Sequence, residues 1–127
     1  GVLEYADQVP KSGLYFMDTP GHDTEQLTGF AAAGINIVVF TTGRGTPTGS
    51  AIMPTIKVAT NTTMATAIPD LIDLNAGTIA EGVKTLSEVG GELFDLILAV
   101  ANGQITKAER GLHHEFSLSR MYNTVIK

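Results

Sequence analysis

Runs of apolar residues alternate along the chain with polar, glycine-rich segments, and their lengths predict an α/β domain. Short continuous apolar runs at residues 14–17, 35–40 and 55–59 are typical of the buried strands of a parallel sheet. Between the first two runs, apolar positions at i, i+3 and i+4 predict an amphipathic helix. Strand, helix and strand in this order predict a βαβ unit with parallel pairing and a right-handed crossover.

Residues that favour helix ends predict where two helices of the first half begin and stop. Asp23 is expected at the N-cap of the first helix, with Gln26 in the capping-box position, and Gly34 is expected to end this helix. Asn61 is expected to cap a short helix that Pro69 ends.

The second half of the chain is predicted to be mainly helical. Residues 71–74 are expected to form a short fourth strand, and Thr78 with Glu81 predicts a capping box. A long apolar stripe follows, which indicates one long helix or two stacked helices ending at residues 102–103. Gly90 lies in line with this stripe and indicates close backbone contact there. The predicted fold is a three-layer α/β domain with a mostly parallel, Rossmann-like sheet of three to four strands and flanking helices.

The domain boundary is predicted from the break at residues 10–13. Residues 1–12 are interpreted as a linker or helix end from an upstream domain, and residues 13–127 as a C-terminal α/β domain. The first residue is Gly1 and not Met, which we take to indicate a processed product or an excised domain.

Composition narrows the function classes. The chain has 127 residues, 13 acidic and 8 basic, for a formal net charge of −5. Nucleic-acid binding is therefore not expected, because it needs clustered Lys and Arg. The absence of cysteine excludes disulfides, thiolate metal sites and a Cys nucleophile within the chain. No apolar run approaches the roughly 20 residues that span a membrane, and no signal segment opens the chain.

Three polar segments follow predicted strands, at residues 18–23, 41–50 and 73–77. In open parallel sheets, ligands bind beyond the carboxyl ends of the strands. The convergence of these segments at one edge is therefore the main functional signal in the chain.

The segment at residues 41–50 is rich in glycine and has Arg44 near its start. Gly43, Gly45 and Gly49 permit close backbone approach, and consecutive amides in such a turn can bind an anion. Arg44 adds a guanidinium that matches a carboxylate or phosphate. The segment is not a P-loop or a dinucleotide fingerprint, because the required Gly and Lys spacing is missing. A flexible surface turn is the alternative interpretation.

Titratable residues near the first segment could act in proton transfer. Histidine is a common general base, which makes His22 a candidate, and Asp18 lies close to it in sequence. Turn and capping chemistry explain the same residues equally well, and Asp23 is interpreted as structural. Lys57, in an otherwise apolar strand, is either an edge-strand gatekeeper or a cation that faces an anionic ligand.

Two adjacent histidines and a glutamate near the C-terminus are possible metal ligands. His113 and His114 cannot both point the same way on regular structure, so they are not expected to form a two-His site. His114 with Glu115 is the candidate, and a surface or interface role is the alternative.

Several motifs together resemble the C-terminal domain of the altronate/galactarate dehydratase family. They occur in the same order over residues 13 to about 118, and their sequences are GLYFMDTPG (13–21), VFTTGRG (39–45) and DLNAGTI (73–79). Gly103 with residues 106–109 and residues 114–116 also resemble the tail of that family.

The resemblance implies a hydro-lyase that removes water from an aldonate or aldarate, such as altronate or galactarate, to give a 2-keto-3-deoxy acid. It implies a divalent metal, expected to be Fe²⁺, whose ligands lie largely outside this chain. It also implies upstream domains in the same polypeptide. A sulfolactate sulfo-lyase belongs to the same family and eliminates sulfite, so a fragment of such a subunit is an alternative. We expect a cytoplasmic homo-oligomer.

The family pattern carries over to residues of all three polar segments, but it does not fix which residue has which role. These residues are Asp18, Thr19, Thr41, Thr42, Gly43, Arg44, Gly45 and Asn75. The expected catalytic residues are Asp18, His22 and Asn75. His22 departs from the family, in which many members have Tyr at this position, so a shared general base is not assigned to it. The expected substrate-binding residues are Thr19, Thr41, Thr42, Gly43, Arg44, Gly45 and Lys57. No metal ligand is assigned beyond the candidates His114 and Glu115.

A noncatalytic α/β module that binds an anionic metabolite, or that only mediates assembly, is the other class considered. Upstream domains with metal-ligating side chains would favour the dehydratase. A start codon immediately before Gly1 would favour the stand-alone binder.

Overall fold

The chain begins with a small ribbon of two parallel strands. The computed structural model describes residues 1–118. Strand β1 (Val2–Leu3) pairs with β2 (Phe16–Met17), and the N–H groups of Phe16 and Asp18 donate to the carbonyls of Gly1 and Leu3 at 2.9 Å. The helix end predicted at the start of the chain is therefore wrong, because β2 pairs with this segment. The strand predicted over 14–17 forms at its second half.

Three parallel strands form the main sheet in the order β3–β4–β5. They are β3 (Val38–Thr42), β4 (Thr55–Ala59) and β5 (Leu74–Asn75). β4 has the predicted bounds, whereas β3 and β5 lie further along the chain than the apolar runs indicated. β2 and β3 belong to different sheets, so the direct parallel pairing predicted for the βαβ unit is wrong.

The register separates the side chains of the main sheet into two faces. Phe40 pairs with Lys57, and this face packs against Leu27 of helix α1 (Asp23–Ala32). Ile56 and Val58 point to the opposite face, where they pack against helix α4 (Leu86–Ala101). Helices thus cover both faces of a parallel sheet, which confirms the predicted three-layer α/β fold.

The remaining helices are short. They are α2 (Thr62–Ala67), a 3₁₀ turn (Pro69–Leu71), α3 (Gly77–Ala80) and α5 (Lys107–Arg110). As predicted, the Asn61 side chain caps α2 by accepting from the Met64 N–H at 2.8 Å. No helix within residues 1–118 is both long and apolar enough to cross a membrane.

The capping boxes lie elsewhere than predicted. His22, not Asp23, is the N-cap of α1, and Gln26 instead donates to the Thr19 hydroxyl at 3.1 Å. Gly34 follows this helix with φ +89°, so the predicted stop is confirmed. The capping box predicted at Thr78 is wrong, because Thr78 lies inside α3.

The capping boxes that the structure shows are formed by Thr85 with Glu88 and by Thr106 with Glu109. At the start of α4, hydrogen bonds from the Thr85 N–H and hydroxyl hold the pKa of Glu88 below its usual value. This cap therefore stabilises the folded state at neutral pH. Its contribution is lost as the pH falls through the lowered pKa.

Helix α4 carries an apolar face that no other part of residues 1–118 covers. Leu86, Gly90, Phe94 and Leu98 recur at four-residue spacing and are exposed. A Cβ at Gly90 would meet nothing within 4 Å. The close backbone contact predicted at Gly90 is therefore wrong within residues 1–118.

Replacing Thr106 by alanine is expected to lower the free energy of unfolding by about 1–2 kcal/mol. Thr106 is buried, and its backbone N–H and hydroxyl donate to Glu109 Oε2 at 2.8 and 2.9 Å. Chemical denaturation measures the change. Thr63→Ala, at an exposed position inside α2, is the control and should change stability by less than about 0.5 kcal/mol. Equal stability of the two variants would contradict the capping role.

Candidate functional site

The carboxyl ends of the three main strands meet at one edge. Thr42 pairs with Ala59, and Ala59 pairs with Asn75, so the three strands end in register. The loops that follow them start side by side. The strand register therefore brings the second and third polar segments together, as predicted.

Hydrogen bonds shape the loop that follows β3. The Thr42 hydroxyl accepts from the Gly45 N–H at 3.0 Å, which closes a tight turn around Arg44. Gly45 has φ +85°, and a Cβ there would lie 2.3 Å from the Ile68 side chain, so glycine is required at this position. Gly43 and Arg44 are exposed at the loop tip. Within residues 1–118 the Arg44 guanidinium forms no hydrogen bond or ion pair, and it is free to bind an anion.

Two asparagines join the three loops. Asn61 Nδ2 donates to the Gly43 carbonyl at 2.7 Å and thereby ties the loop after β4 to the loop after β3. Asn75 Nδ2 donates to the Thr62 hydroxyl at 3.0 Å, and its Oδ1 accepts from the Gly77 N–H at 2.9 Å. The amide of Asn75 thus links the ends of β4 and β5.

Asn61 and Thr62 belong to this edge, although the sequence identified Asn61 only as a helix cap. The signal that could have found them is their position directly after β4, since the rule used for the other two loops applies equally to this one. Thr60 belongs to the same group, because its N–H donates to the Thr42 carbonyl at 3.0 Å.

Gly77 allows the loops after β4 and β5 to touch. A Cβ at Gly77 would lie 2.3 Å from the Thr62 nitrogen and 2.5 Å from the Asn61 carbonyl carbon. Both atoms belong to the backbone and cannot move aside like a flexible side chain. The contact that holds Asn61 and Asn75 in place therefore requires glycine.

The first polar segment follows β2, which belongs to the two-stranded ribbon and not to the main sheet. Asp18 and His22 are exposed, and the His22 side chain makes no capping hydrogen bond to α1. Thr19 is linked by its hydrogen bond to Gln26, which lines a cavity of about 140 Å³ beside the free edge of β3 together with Thr41. Gln26 therefore links Thr19 of the first segment to the cavity beside β3.

Lys57 lies on the central strand, so its interpretation as an edge-strand gatekeeper is wrong. Its side chain is 0% exposed, and Nζ donates to the carbonyls of Thr46 and Pro47 at 3.1 and 3.0 Å. Burial lowers the pKa of Lys57, and the negative charges of Asp73 and Glu115 oppose this shift.

Asp73 connects β4 to the C-terminal helix. Its Oδ2 accepts from the Lys57 backbone N–H at 2.7 Å, and its Oδ1 accepts from the Lys107 N–H at 2.9 Å. The carboxylate takes the place of a strand carbonyl, and it bonds the first residue of α5. The sequence predicted Asp73 only as part of a polar segment.

The C-terminal histidines and Glu115 do not form a metal site within the described residues. Glu115 Oε2 accepts from the Gly49 N–H at 3.2 Å, and Oε1 lies 3.4 Å from His113 Nδ1. The structure thus places His113 beside Glu115, where the sequence favoured His114, which is exposed. Burial opposes ionisation of Glu115, but hydrogen bonds from backbone N–H groups and His113 hold its pKa below the usual value. In residues 1–118 no three His, Asp or Glu side chains are grouped so that they could bind a metal ion.

The fold and the polar carboxyl edge place this chain in the class of parallel α/β domains, and comparison with known proteins specifies the family. The family model described as D-galactarate/altronate dehydratase, C-terminal, matches residues 1–124. The chain therefore belongs to this family, which confirms the resemblance described above.

Three named relatives match most of the length of this chain. The galactarate dehydratase (L-threo-forming) of Escherichia coli strain K12 is 44% identical over 119 residues, and the altronate dehydratase of Bacillus subtilis strain 168 is 41% identical over 117 residues. Both matches cover 92% of this chain and 23% of the relative. The (2R)-sulfolactate sulfo-lyase subunit beta of Chromohalobacter salexigens is 35% identical over 124 residues, covering 98% of this chain and 32% of that subunit. The chain thus spans about a quarter of the length of the two dehydratases.

Proposed function

We propose that this chain is the C-terminal domain of a sugar-acid dehydratase and that its carboxyl edge forms one wall of the substrate site. The observation that carries the proposal is the exposed Arg44, placed by a tight turn at the edge where three strands end in register. Membership of the dehydratase C-terminal family supports it.

Arg44 is proposed to bind a carboxylate of the substrate. A guanidinium forms two parallel hydrogen bonds with a carboxylate, which fixes the orientation of the acid as well as its position. The exposed backbone of Gly43 and the half-buried turn at Gly45 lie beside it. Because the whole chain is net negative at −5, attraction of an anionic substrate must be local to such a cation.

Hydroxyl groups of the sugar are proposed to contact Thr41, Thr42 and Asn75. The Thr42 hydroxyl accepts from Gly45 and keeps its own proton for donation. Asn75 uses one amide N–H on Thr62 and has a second one to donate. Thr41 is exposed at the end of β3.

The proposed reaction removes the proton α to a carboxylate and expels the 3-hydroxyl as water, which leaves a 2-keto-3-deoxy acid after tautomerisation. The α proton is weakly acidic, so the enediolate has to be stabilised by cations or amide donors. Arg44 and the loop amides supply such groups in this chain. Asp18 and His22 are proposed to serve in proton transfer. Both are exposed, and the neighbouring Thr19 bonds Gln26, which lines the same cavity as Thr41.

The family resemblance implies a divalent metal, expected to be Fe²⁺, which would act as a Lewis acid when bound. The described residues do not fit such an ion, because Glu115 bonds Gly49 and His113 and no third ligand joins them. We therefore propose that the metal ligands lie outside residues 1–118. Upstream domains of the same polypeptide, a homo-oligomeric assembly and a cytoplasmic location complete the proposal.

A sulfo-lyase is the second candidate, favoured by the 35% identity to the sulfolactate sulfo-lyase subunit. Its substrate is also an anionic acid, so Arg44 would have the same task. The two candidates differ in the leaving group, which is water in one and sulfite in the other.

An assay of the full-length protein that carries this domain tests the proposal. It should dehydrate at least one acid from a panel of aldonates and aldarates that includes altronate and galactarate, and added Fe²⁺ should raise the rate. Release of sulfite from sulfolactate, without dehydration of any sugar acid, would favour the sulfo-lyase. Inactivity towards every compound, with a sugar acid still bound in calorimetry, would favour the noncatalytic module.

A further inference from the structure

The buried ammonium of Lys57 is held by two carbonyls of one loop. Lys57 belongs to the middle strand of the sheet and is 0% exposed. Its Nζ lies 3.1 Å from the Thr46 carbonyl oxygen and 3.0 Å from that of Pro47. Burying a charged group is costly unless it is well bonded. An aliphatic side chain would avoid this cost, so the cation must contribute something other than packing.

The same loop is held from its other side by the C-terminal segment. The Gly49 N–H donates to Glu115 Oε2 of this segment at 3.2 Å. Within the loop itself, the Thr48 N–H donates to the Thr46 hydroxyl at 3.2 Å. A Cβ at Gly49 would lie 2.4 Å from the His113 carbonyl oxygen. Residues 46–49 are therefore clamped between β4 and the segment after α5.

The clamp lies directly next to the turn that presents Arg44. Thr46 is two residues after Arg44, and the intervening Gly45 bonds Thr42 and packs on Ile68. The backbone of residues 45–49 is thus held at each end of this stretch, whereas the side chain of Arg44 is left exposed. Rigid support of this kind reduces the entropy that a binding group loses when its ligand arrives.

We propose that Lys57 is a positioning residue, which fixes residues 46–49 from inside the sheet and thereby orients Arg44 towards the substrate carboxylate. This inference rests on the proposed function of the Arg44 loop. Lys57 itself does not contact the substrate, because both of its described hydrogen bonds go to the protein backbone and its side chain is enclosed.

Replacement of Lys57 by methionine in the full-length protein tests the clamp. Methionine keeps the apolar stem and removes both hydrogen bonds. Amide hydrogen exchange within residues 46–49, measured at Thr46, Thr48 and Gly49, should therefore become at least about tenfold faster. Lys107→Met is the matched control. The Lys107 ammonium also donates to two backbone carbonyls, those of Pro69 and Ile72, which lie in another segment. It should leave exchange at residues 46–49 unchanged.

A double-mutant cycle tests the link to Arg44. If Lys57 acts through this arginine, K57M should lower kcat/KM at least about tenfold in the wild-type background and by less than about threefold in an R44A background. Equal losses in both backgrounds would overturn the positioning role, because a general effect on stability would be independent of Arg44.

A second variant guards against misfolding of K57M. The Glu115 side chain is 43% exposed, so Glu115→Ala should fold, and it should accelerate exchange of the Gly49 amide. If exchange at residues 46–49 is unchanged in every folded variant, the inference is overturned. The exchange measurements need no substrate. They therefore decide on the clamp even if the full-length protein proves to have no lyase activity, an outcome that would refute only the proposed function.

Discussion

Replacing Gly77 by alanine should destabilise the domain by about 3 kcal/mol or more. The new Cβ would lie 2.3 Å from the Thr62 nitrogen, 2.5 Å from the Asn61 carbonyl carbon and 2.6 Å from the Asn61 Cα. Because all three atoms are backbone atoms, relief requires that the loops after β4 and β5 separate. Urea denaturation measures the change.

Gly90→Ala is the matched control for this prediction. Gly90 lies in the exposed middle of α4, where a Cβ would meet nothing within 4 Å. Alanine should stabilise this helix by about 0.5–1 kcal/mol, because it restricts the unfolded chain more than glycine does. The same substitution thus has opposite signs at the two sites. A Gly77→Ala protein as stable as the wild type would show that the loops are not in the contact described.

Replacing Arg44 by alanine in the full-length enzyme should cost about 2–4 kcal/mol of transition-state binding, which corresponds to a loss of about 30- to 1,000-fold in kcat/KM. The loss follows if the guanidinium pairs with a desolvated carboxylate. Arg44→Lys should recover only part of the activity, because an ammonium cannot form the two parallel hydrogen bonds. Steady-state kinetics with the best sugar acid of the panel measures the effect.

Arg110→Ala is the control for Arg44. Arg110 is exposed in the last turn of α5 and carries the same charge, so a loss of net charge alone would affect both variants equally. Unchanged kcat/KM in Arg44→Ala would remove this residue from the substrate site. The position of the loop at the strand ends would then have a structural explanation only.

The fold could be predicted where a residue pattern has one physical meaning. Apart from Lys57, residues 55–59 are apolar or β-branched, and the strand has these bounds because all five residues are buried between covered faces. Strand β1 could not be predicted, since its two residues form a strand only because β2 offers a partner. Thr78 with Glu81 has the spacing of a capping box, but the backbone makes its turn one residue earlier, at Gly77.

Those residues of the candidate site that directly follow predicted strands could be predicted from the sequence. Thr42 and Asn75 follow from this rule, whereas the part played by Asn61 was hidden because its capping role already explained its presence. The environment of Lys57 could not be deduced, because the sequence does not reveal which strand is central. Its bonding partners lie 10 and 11 residues away in a loop without regular structure.

The double hydrogen bond of Asp73 has a consequence for how the domain unfolds. One carboxylate bonds the backbone of β4 and the first N–H of α5, which are 50 residues apart in sequence (Lys57 and Lys107). If either β4 or α5 detaches, the Asp73 carboxylate loses one of its two hydrogen bonds. Local opening of either element therefore carries a free-energy cost. Helix α5 has only four residues and would fray on its own. Through Asp73 it should instead open as one cooperative unit with the central strand.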